Sequence, residues 1–218
     1  WEPLSLGAQA VSWSPQTYEI AYLADRGGTL ALATLDLGNP RAKPQELIRL
    51  AAQDLAVQWA LPSLIFLHEK PSALVPASLW SFDTKKKTLS RLLQNQPGLS
   101  LLWGAESEMG LLFSGGAGER GGELSLLNKE GLVAWRLSIL TLPEKCVFRS
   151  VNIQAAPSVS ATSTKTPTPV KYPFLYCGVP RNFRDFSIQP LPDAYMKRAL
   201  FAIDDIFRID LKGGDVAA

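Results

Sequence analysis

Four aromatic landmarks recur along this chain at nearly constant spacing. Trp13, Trp59 and Trp103 are 46 and 44 residues apart, and Phe148 follows after another 45. A period in the range of roughly 40–50 residues marks a chain built from repeated supersecondary units, each too small to bury its own apolar face without a neighbour. A compact apolar segment follows each landmark: Ile20–Ala24, Leu64–Leu67, Leu111–Phe113 and Phe174–Cys177. These segments are short and rich in branched and aromatic residues, and turn residues bound them, which predicts strands rather than helices.

A third strand is expected at Leu30–Asp36, Leu79–Asp83, Leu124–Asn128 and Ile206–Asp210. Each ends in Asp or Asn before a Gly- or Lys-rich turn, where an Asx side chain can bond the backbone ahead of it and favour reversal. The first three units add a more polar fourth strand, at Gln45–Leu50, Thr88–Leu93 and Leu132–Leu137. Charges suit an outer edge that must not pair with another chain.

The order Trp13-Ser-Pro, Ile20-Ala-Tyr and Leu35-Asp-Leu-Gly38 resembles the TolB-type, WD-like β-propeller repeat of bacteria, and the resemblance covers nearly the whole chain. Units two and three keep the landmark, the strand and the Asp or Asn, but lack the Ser-Pro-Asp-Gly form of the turn. The resemblance implies an all-β fold: a β-propeller of about four blades, each of four antiparallel strands. The blades are expected at about 7–52, 53–97, 98–143 and 144–218, in a single domain spanning 1–218. Residues 1–6 read as a strand completing the last or a preceding blade. Two arrangements stay open: a complete small ring closed by its own ends, or a fragment of a larger ring of roughly six to eight blades.

With 218 residues, 46% hydrophobic and 19% charged, the composition is that of one globular domain. A net charge of +2 gives no field that would draw in nucleic acid or an anionic membrane, so no nucleic-acid partner is expected. No apolar run is long enough to span a bilayer. The chain opens at Trp1 with no basic segment leading into an apolar one, so an anchor or signal is expected outside it or removed, as for an ectodomain at the cell envelope.

The fourth unit departs from the plan. Its landmark-to-Asp distance is 62 residues against 23 in the first unit. Part of the excess is a Ser/Thr/Pro-rich tract at 156–169, too poor in large apolar groups to fold alone, for which a flexible insertion is expected. The rest, 180–202, carries Phe183, Phe186, Leu191, Tyr195 and Met196 among charges. Loops on a rigid scaffold commonly carry binding, and this one is the candidate contact loop, the alternative being a loop that merely caps the core.

Both cysteines lie in this unit. On the first unit's register Cys146 and Cys177 fall on neighbouring antiparallel strands, at a span compatible with a disulfide in an extracytoplasmic setting. The alternative is a pair of reduced, buried cysteines acting as small apolar residues. The Lys145–Phe148 and Leu175–Pro180 segments, with Asp204–Asp210, also resemble the last blade of propeller ectodomains in membrane-anchored bacterial proteins, some carrying a PEGA-type domain. That resemblance implies surface exposure, not an activity.

No catalytic constellation is visible. The single histidine, His68, reads as a solvated strand end, and no Gly-x-Ser-x-Gly elbow is present. The Gly115–Gly122 run lacks the Lys-Ser/Thr and the following helix of a phosphate loop, so it reads as a hairpin. The clustered spacings of a zinc site are missing, and Asp204, Asp205 and Asp210 alone do not make a calcium loop. No metal and no cofactor are expected. Trp13, Trp59 and Trp103 recur at the repeat period and are read as packing between blades, with Trp80 and Trp135 half-buried. Two functions follow: a non-catalytic propeller binding a protein or small ligand, or the substrate-gating propeller of a hydrolase resembling prolyl oligopeptidases, its catalytic domain outside this chain. A sialidase-like enzyme is a weaker third, since the Ser-x-Asp-x-Gly-x-x-Trp boxes are absent.

Overall fold

The computed structural model describes residues 7–115, 121–153, 170–212 and 216–217. It is an all-β chain of four four-stranded antiparallel sheets, each with its strands hydrogen-bonded in chain order. Blade 1 holds β1 (Ala8–Trp13), β2 (Glu19–Asp25), β3 (Leu30–Asp36) and β4 (Gln45–Leu50). Blade 2 holds β5 (Leu55–Leu61), β6 (Leu64–Glu69), β7 (Pro76–Asp83) and β8 (Thr88–Pro97). Blade 3 holds β9 (Ser100–Gly104), β10 (Met109–Gly115), β11 (Gly122–Leu127) and β12 (Val133–Leu137). Blade 4 holds β13 (Cys146–Ile153), β14 (Val170–Pro180), β15 (Asp204–Asp210) and the two-residue β16 (Val216–Ala217). The segments 1–6, 116–120 and 156–169 lie outside the described residues.

The ladder register repeats from blade to blade. Trp13 pairs with Ile20, Trp59 with Ile65, Trp103 with Gly110 and Phe148 with Leu175. Successive side chains on a strand point to opposite faces, so a strand between two stacked sheets must be apolar on both. The second strands of blades 1 to 3 obey this: Ile20 to Ala24, Ile65 to His68 and Gly110 to Phe113 are buried without interruption.

Three shared cores result. Ala21, Leu23, Leu30 and Leu32 of blade 1 pack with Trp59, Ile65, Leu67 and Phe82 of blade 2. Phe66, Ala77 and Leu79 of blade 2 pack with Trp103, Leu112 and Leu127 of blade 3. Leu111, Phe113 and Leu126 of blade 3 pack with Leu175, Cys177 and Ile209 of blade 4. The inner strands β1, β5, β9 and β13 lie beside one another in that order. Between blades 1 and 2 the stacking is reinforced by the Trp59 backbone N–H, which donates to Ser12 Oγ at 2.8 Å.

The predicted turn chemistry recurs in all four blades. Asp36 accepts from Gly38 N–H at 2.8 Å, Asp83 from Lys85 and Lys86 at 2.9 Å, Asn128 from Leu132 at 2.9 Å, and Asp210 from Lys212 at 2.7 Å. Each carboxylate or amide oxygen satisfies backbone donors that the reversing chain would otherwise leave unpaired.

Two expectations need correction here. Trp13 does not pack between blades among the described residues: it is 60% exposed, and its ring meets Tyr18 edge-on, centroids 6.1 Å apart. Trp59 and Trp103 are buried because a preceding blade covers each of them, whereas the described residues place no such blade over Trp13. His68 is not a solvated strand end: it is 5% exposed, on the β6 face turned towards blade 3. Trp80 and Trp135 are half-buried.

Candidate binding surface

The segment between β14 and β15 is the long fourth-unit insertion, and it folds into two short helices, α1 (Phe183–Ser187) and α2 (Asp193–Met196). It lies across the ends of blades 2, 3 and 4. Phe186 is 1% exposed and enters the core of blades 3 and 4 together with Leu191, while Tyr195 packs against that core from outside. Full burial of a phenylalanine is worth roughly 3 kcal/mol, enough to anchor a segment of this length.

Lys145 strengthens the anchor. Its ammonium donates to Asp204 Oδ1 at 2.6 Å and lies 5.2 Å from the Phe186 ring centroid and 5.7 Å from that of Tyr195. A buried cation is tolerable there because a carboxylate and two aromatic faces replace its water. At the far side, Asp193 accepts from the Ala73 backbone N–H and from Ser72 Oγ, in the blade 2 loop after β6.

Between those anchors the backbone passes very close to blade 3. A Cβ at Gly98 or at Gly115 would come within 2.8 or 2.5 Å of the Leu191 carbonyl oxygen. Only glycine admits the strap at that distance.

The four candidate contact residues therefore divide. Phe186 and Tyr195 hold the insertion down, whereas Phe183 and Met196 are exposed. Ile188, Ile203 and Phe201 of the same segment are exposed as well, the last 84%, and the Asp193 bond brings the loop that carries exposed Leu74 and Val75 to α2. Sequence reading placed the loop but missed Phe201, Ile203, Leu74 and Val75. Their signal was apolar residues in turns with no strand partner to cover them.

Phe183 also overhangs a cleft of about 750 Å³ between blades 2 and 3, lined by Leu93, Gln96, Leu112, Ser114, Glu123 and Arg136. Its polar groups bond one another: Arg136 Nε to Glu123 at 2.9 Å, Ser125 Oγ to Glu123 at 3.3 Å, and Ser114 Oγ to Gln96 at 3.0 Å. The cleft has the size of a small-ligand site, but its side chains satisfy each other instead of converging on a vacant point.

His68 lies outside this cleft. Its Nδ1–H donates to the Glu69 carbonyl at 2.8 Å, and burial holds its pKa below the ordinary value of 6.5. Asp204 is committed to Lys145, Asp205 to Arg181 at 2.8 Å, and Asp210 to the Tyr172 hydroxyl at 2.8 Å. No group of three metal-ligating side chains converges among the described residues. No described helix is long and apolar enough to cross a membrane. Cys146 and Cys177 form a disulfide across the directly opposed positions of β13 and β14, with Cα atoms 4.1 Å apart.

No family model matches the sequence, and no curated protein matches it. Solved structures do. An acylaminoacyl peptidase in complex with Z-Gly-Gly-Phe-chloromethyl ketone superposes with a TM-score of 0.55 at 12% identity, over 97% of this chain and 32% of that one. TolB from Acinetobacter baumannii does so with a TM-score of 0.51 at 11% identity, over 96% of this chain and 42% of that one. The β-propeller domain of the Trilobed protease from Pyrococcus furiosus gives 0.43 at 11% identity, over 97% and 71%. At these identities the first two likenesses show the fold alone: the chain is a β-propeller domain of four-stranded blades. It spans less than half the length of the first two proteins.

Proposed function

We propose that this chain is a non-catalytic binding propeller of the TolB type, working at the cell envelope and engaging a protein partner through the face built by the fourth-blade insertion. The observation that carries the reading is the apolar face of that insertion, Phe183, Ile188, Met196, Phe201 and Ile203, held exposed by the buried anchors Phe186, Leu191 and Lys145. Large apolar side chains left exposed on a rigid support are characteristic of interaction sites. The Cys146–Cys177 disulfide supports an oxidising compartment.

The test is site-specific crosslinking in the producing cell. A photoreactive residue at Phe201 is expected to trap one discrete protein partner, and the same residue at Leu89 on the outer strand β8 is expected to trap none. Equal labelling at both positions, or none at Phe201, would reject the reading. A second reading, the substrate-gating half of a hydrolase, is favoured by the peptidase superposition. A Ser elbow with a downstream His in sequence adjoining this chain would decide for it.

A further inference from the structure

Of the three blades that stack on a preceding one, blade 3 departs from the other two at one rung of its ladder. The rung passes through the residue two places beyond the landmark's partner on the second strand, on the face turned towards the preceding blade. In blade 2 it reads Val57, Leu67, Trp80 and Arg91. In blade 3 it reads Leu101, Leu112, Ser125 and Arg136. In blade 4 it reads Cys146, Cys177 and Phe207. The third strand thus supplies tryptophan, serine and phenylalanine at one equivalent place, while blades 2 and 3 end the rung in the same arginine.

Directly opposed residues of an antiparallel pair share a face of the sheet, so the side chains of a rung point the same way. Leu67 lies in the core shared with blade 1, and Trp80 packs against that core. Leu112 lies in the equivalent core with blade 2, but Ser125 beside it is too short to carry the packing outward. The cleft of about 750 Å³ opens there, with buried Leu112 and Ser125 at its base, Leu93 and Gln96 of blade 2 opposite, and Phe183 over it.

The polar groups around the cleft demand little of an occupant. Arg136 and Glu123 neutralise each other, and Ser125, Ser114 and Gln96 already have partners. Among the described residues, no buried polar atom left without a partner belongs to a residue lining the cleft. An occupant therefore gains by burying flat apolar surface, and loses if it brings a charge that must leave water.

We propose that this cleft is a binding site for small molecules built on an uncharged, flat aromatic ring system, seated where blade 2 carries the Trp80 indole. The repeat itself argues for that occupant: at the same rung an indole packs the seam of blades 1 and 2, and blade 4 places a phenyl ring. The volume falls within the range of roughly 300–1,000 Å³ typical of small-ligand sites. Phe183 adds an aromatic ring at the mouth, where edge or stacked contact with the occupant is favourable. The site lies in an internal seam and does not rest on the insertion-face reading, with which it shares only Phe183.

Indole, the ring system of the Trp80 side chain, is the probe. Amide correlation spectra of the isotope-labelled chain, titrated with indole, should show saturable shifts at Leu112, Ser114 and Ser125, with half-saturation at or below about 1 mM. Cyclohexylmethanol, saturated and uncharged, should bind about 2- to 10-fold more weakly. Ser125→Trp restores the residue type of blade 2 and should abolish the saturable shifts at Leu112 and Ser114. Ser125→Leu fills the place in part and should weaken indole by about tenfold or more. An unchanged far-ultraviolet circular dichroism spectrum establishes that the variants fold, and the comparison of the two probes needs no variant. Shifts that do not saturate or that scatter over the chain, equal affinity for cyclohexylmethanol, or a folded Ser125→Trp chain that still titrates at Leu112 would each overturn the proposal. Binding of N-acetyltryptophanamide more than about tenfold tighter than indole would overturn it in favour of a tryptophan on a polypeptide partner.

Discussion

Reducing Cys146–Cys177 isolates one covalent constraint without removing an atom from the core. The bridge joins residues 31 apart in sequence, so in the unfolded chain it closes a loop of about that length. The chain-entropy relation for such a loop gives about 12 cal/mol/K, or about 3.7 kcal/mol at 25 °C. Domains of ordinary stability hold only about 5–15 kcal/mol in total, so the loss is a large share. The loop contains the Ser/Thr/Pro-rich tract, whose composition offers little burial of its own to keep β13 and β14 together. The assay is guanidinium unfolding of oxidised and reduced protein in parallel, followed by tryptophan fluorescence. Reduction should lower the unfolding free energy by about 3–4 kcal/mol, and amide exchange should rise first in β13 and β14. A difference under about 1 kcal/mol would refute the reasoning, as would two thiols titrating in the unreduced, denatured chain.

Other perturbations have equally definite outcomes. Ser12→Ala leaves the Trp59 backbone N–H without its acceptor at the seam of blades 1 and 2 and should cost about 1–2 kcal/mol in urea unfolding; no change would mean that the seam does not rely on this bond. His68 is held neutral by burial, so its folded pKa lies below the unfolded value of 6.5. Above pH 6.5 neither state binds the proton and His68 leaves stability unaffected. As the pH falls below 6.5 the unfolded chain protonates first and stability declines, by at most about 1.4 kcal/mol per pH unit, until the folded value is reached. His68→Gln should remove that decline from the difference between stability curves measured at pH 7.5 and pH 5. Parallel curves would show that His68 is not its source.

The blades were legible because their signals are local and repeated. Leu30–Asp36 and Gln45–Leu50 coincide with β3 and β4, and every Asp or Asn expected to turn the chain does so through its own side chain. What could not be read is whatever depends on which blade lies next. Trp13 and Trp59 have the same local sequence role, yet among the described residues a sheet lies in front of Trp59 and none in front of Trp13. His68 is polar and next to charges, which suggested water, but the strand alternation turns it into the seam with blade 3 while Glu69 turns away. Within the insertion, the difference between the anchor Phe186 and the exposed Phe183 is three residues along one short helix. Composition does not encode that choice: it is made by the core of blades 3 and 4 that Phe186 enters and by Lys145, 41 residues earlier in the sequence.

The Asp193 contact with Ala73 spans 120 residues of sequence and fastens a loop of the last blade to a loop of the second. The outer loop is thereby a beam supported at both ends instead of a cantilever hanging from blade 4. An outward force on Phe201 or Met196 is shared between blades 2 and 4 through the Asp193 and Asp204–Lys145 contacts. Tension on this surface is resisted in shear across several sheets at once, and peeling one hairpin away from its neighbours is the route the architecture blocks.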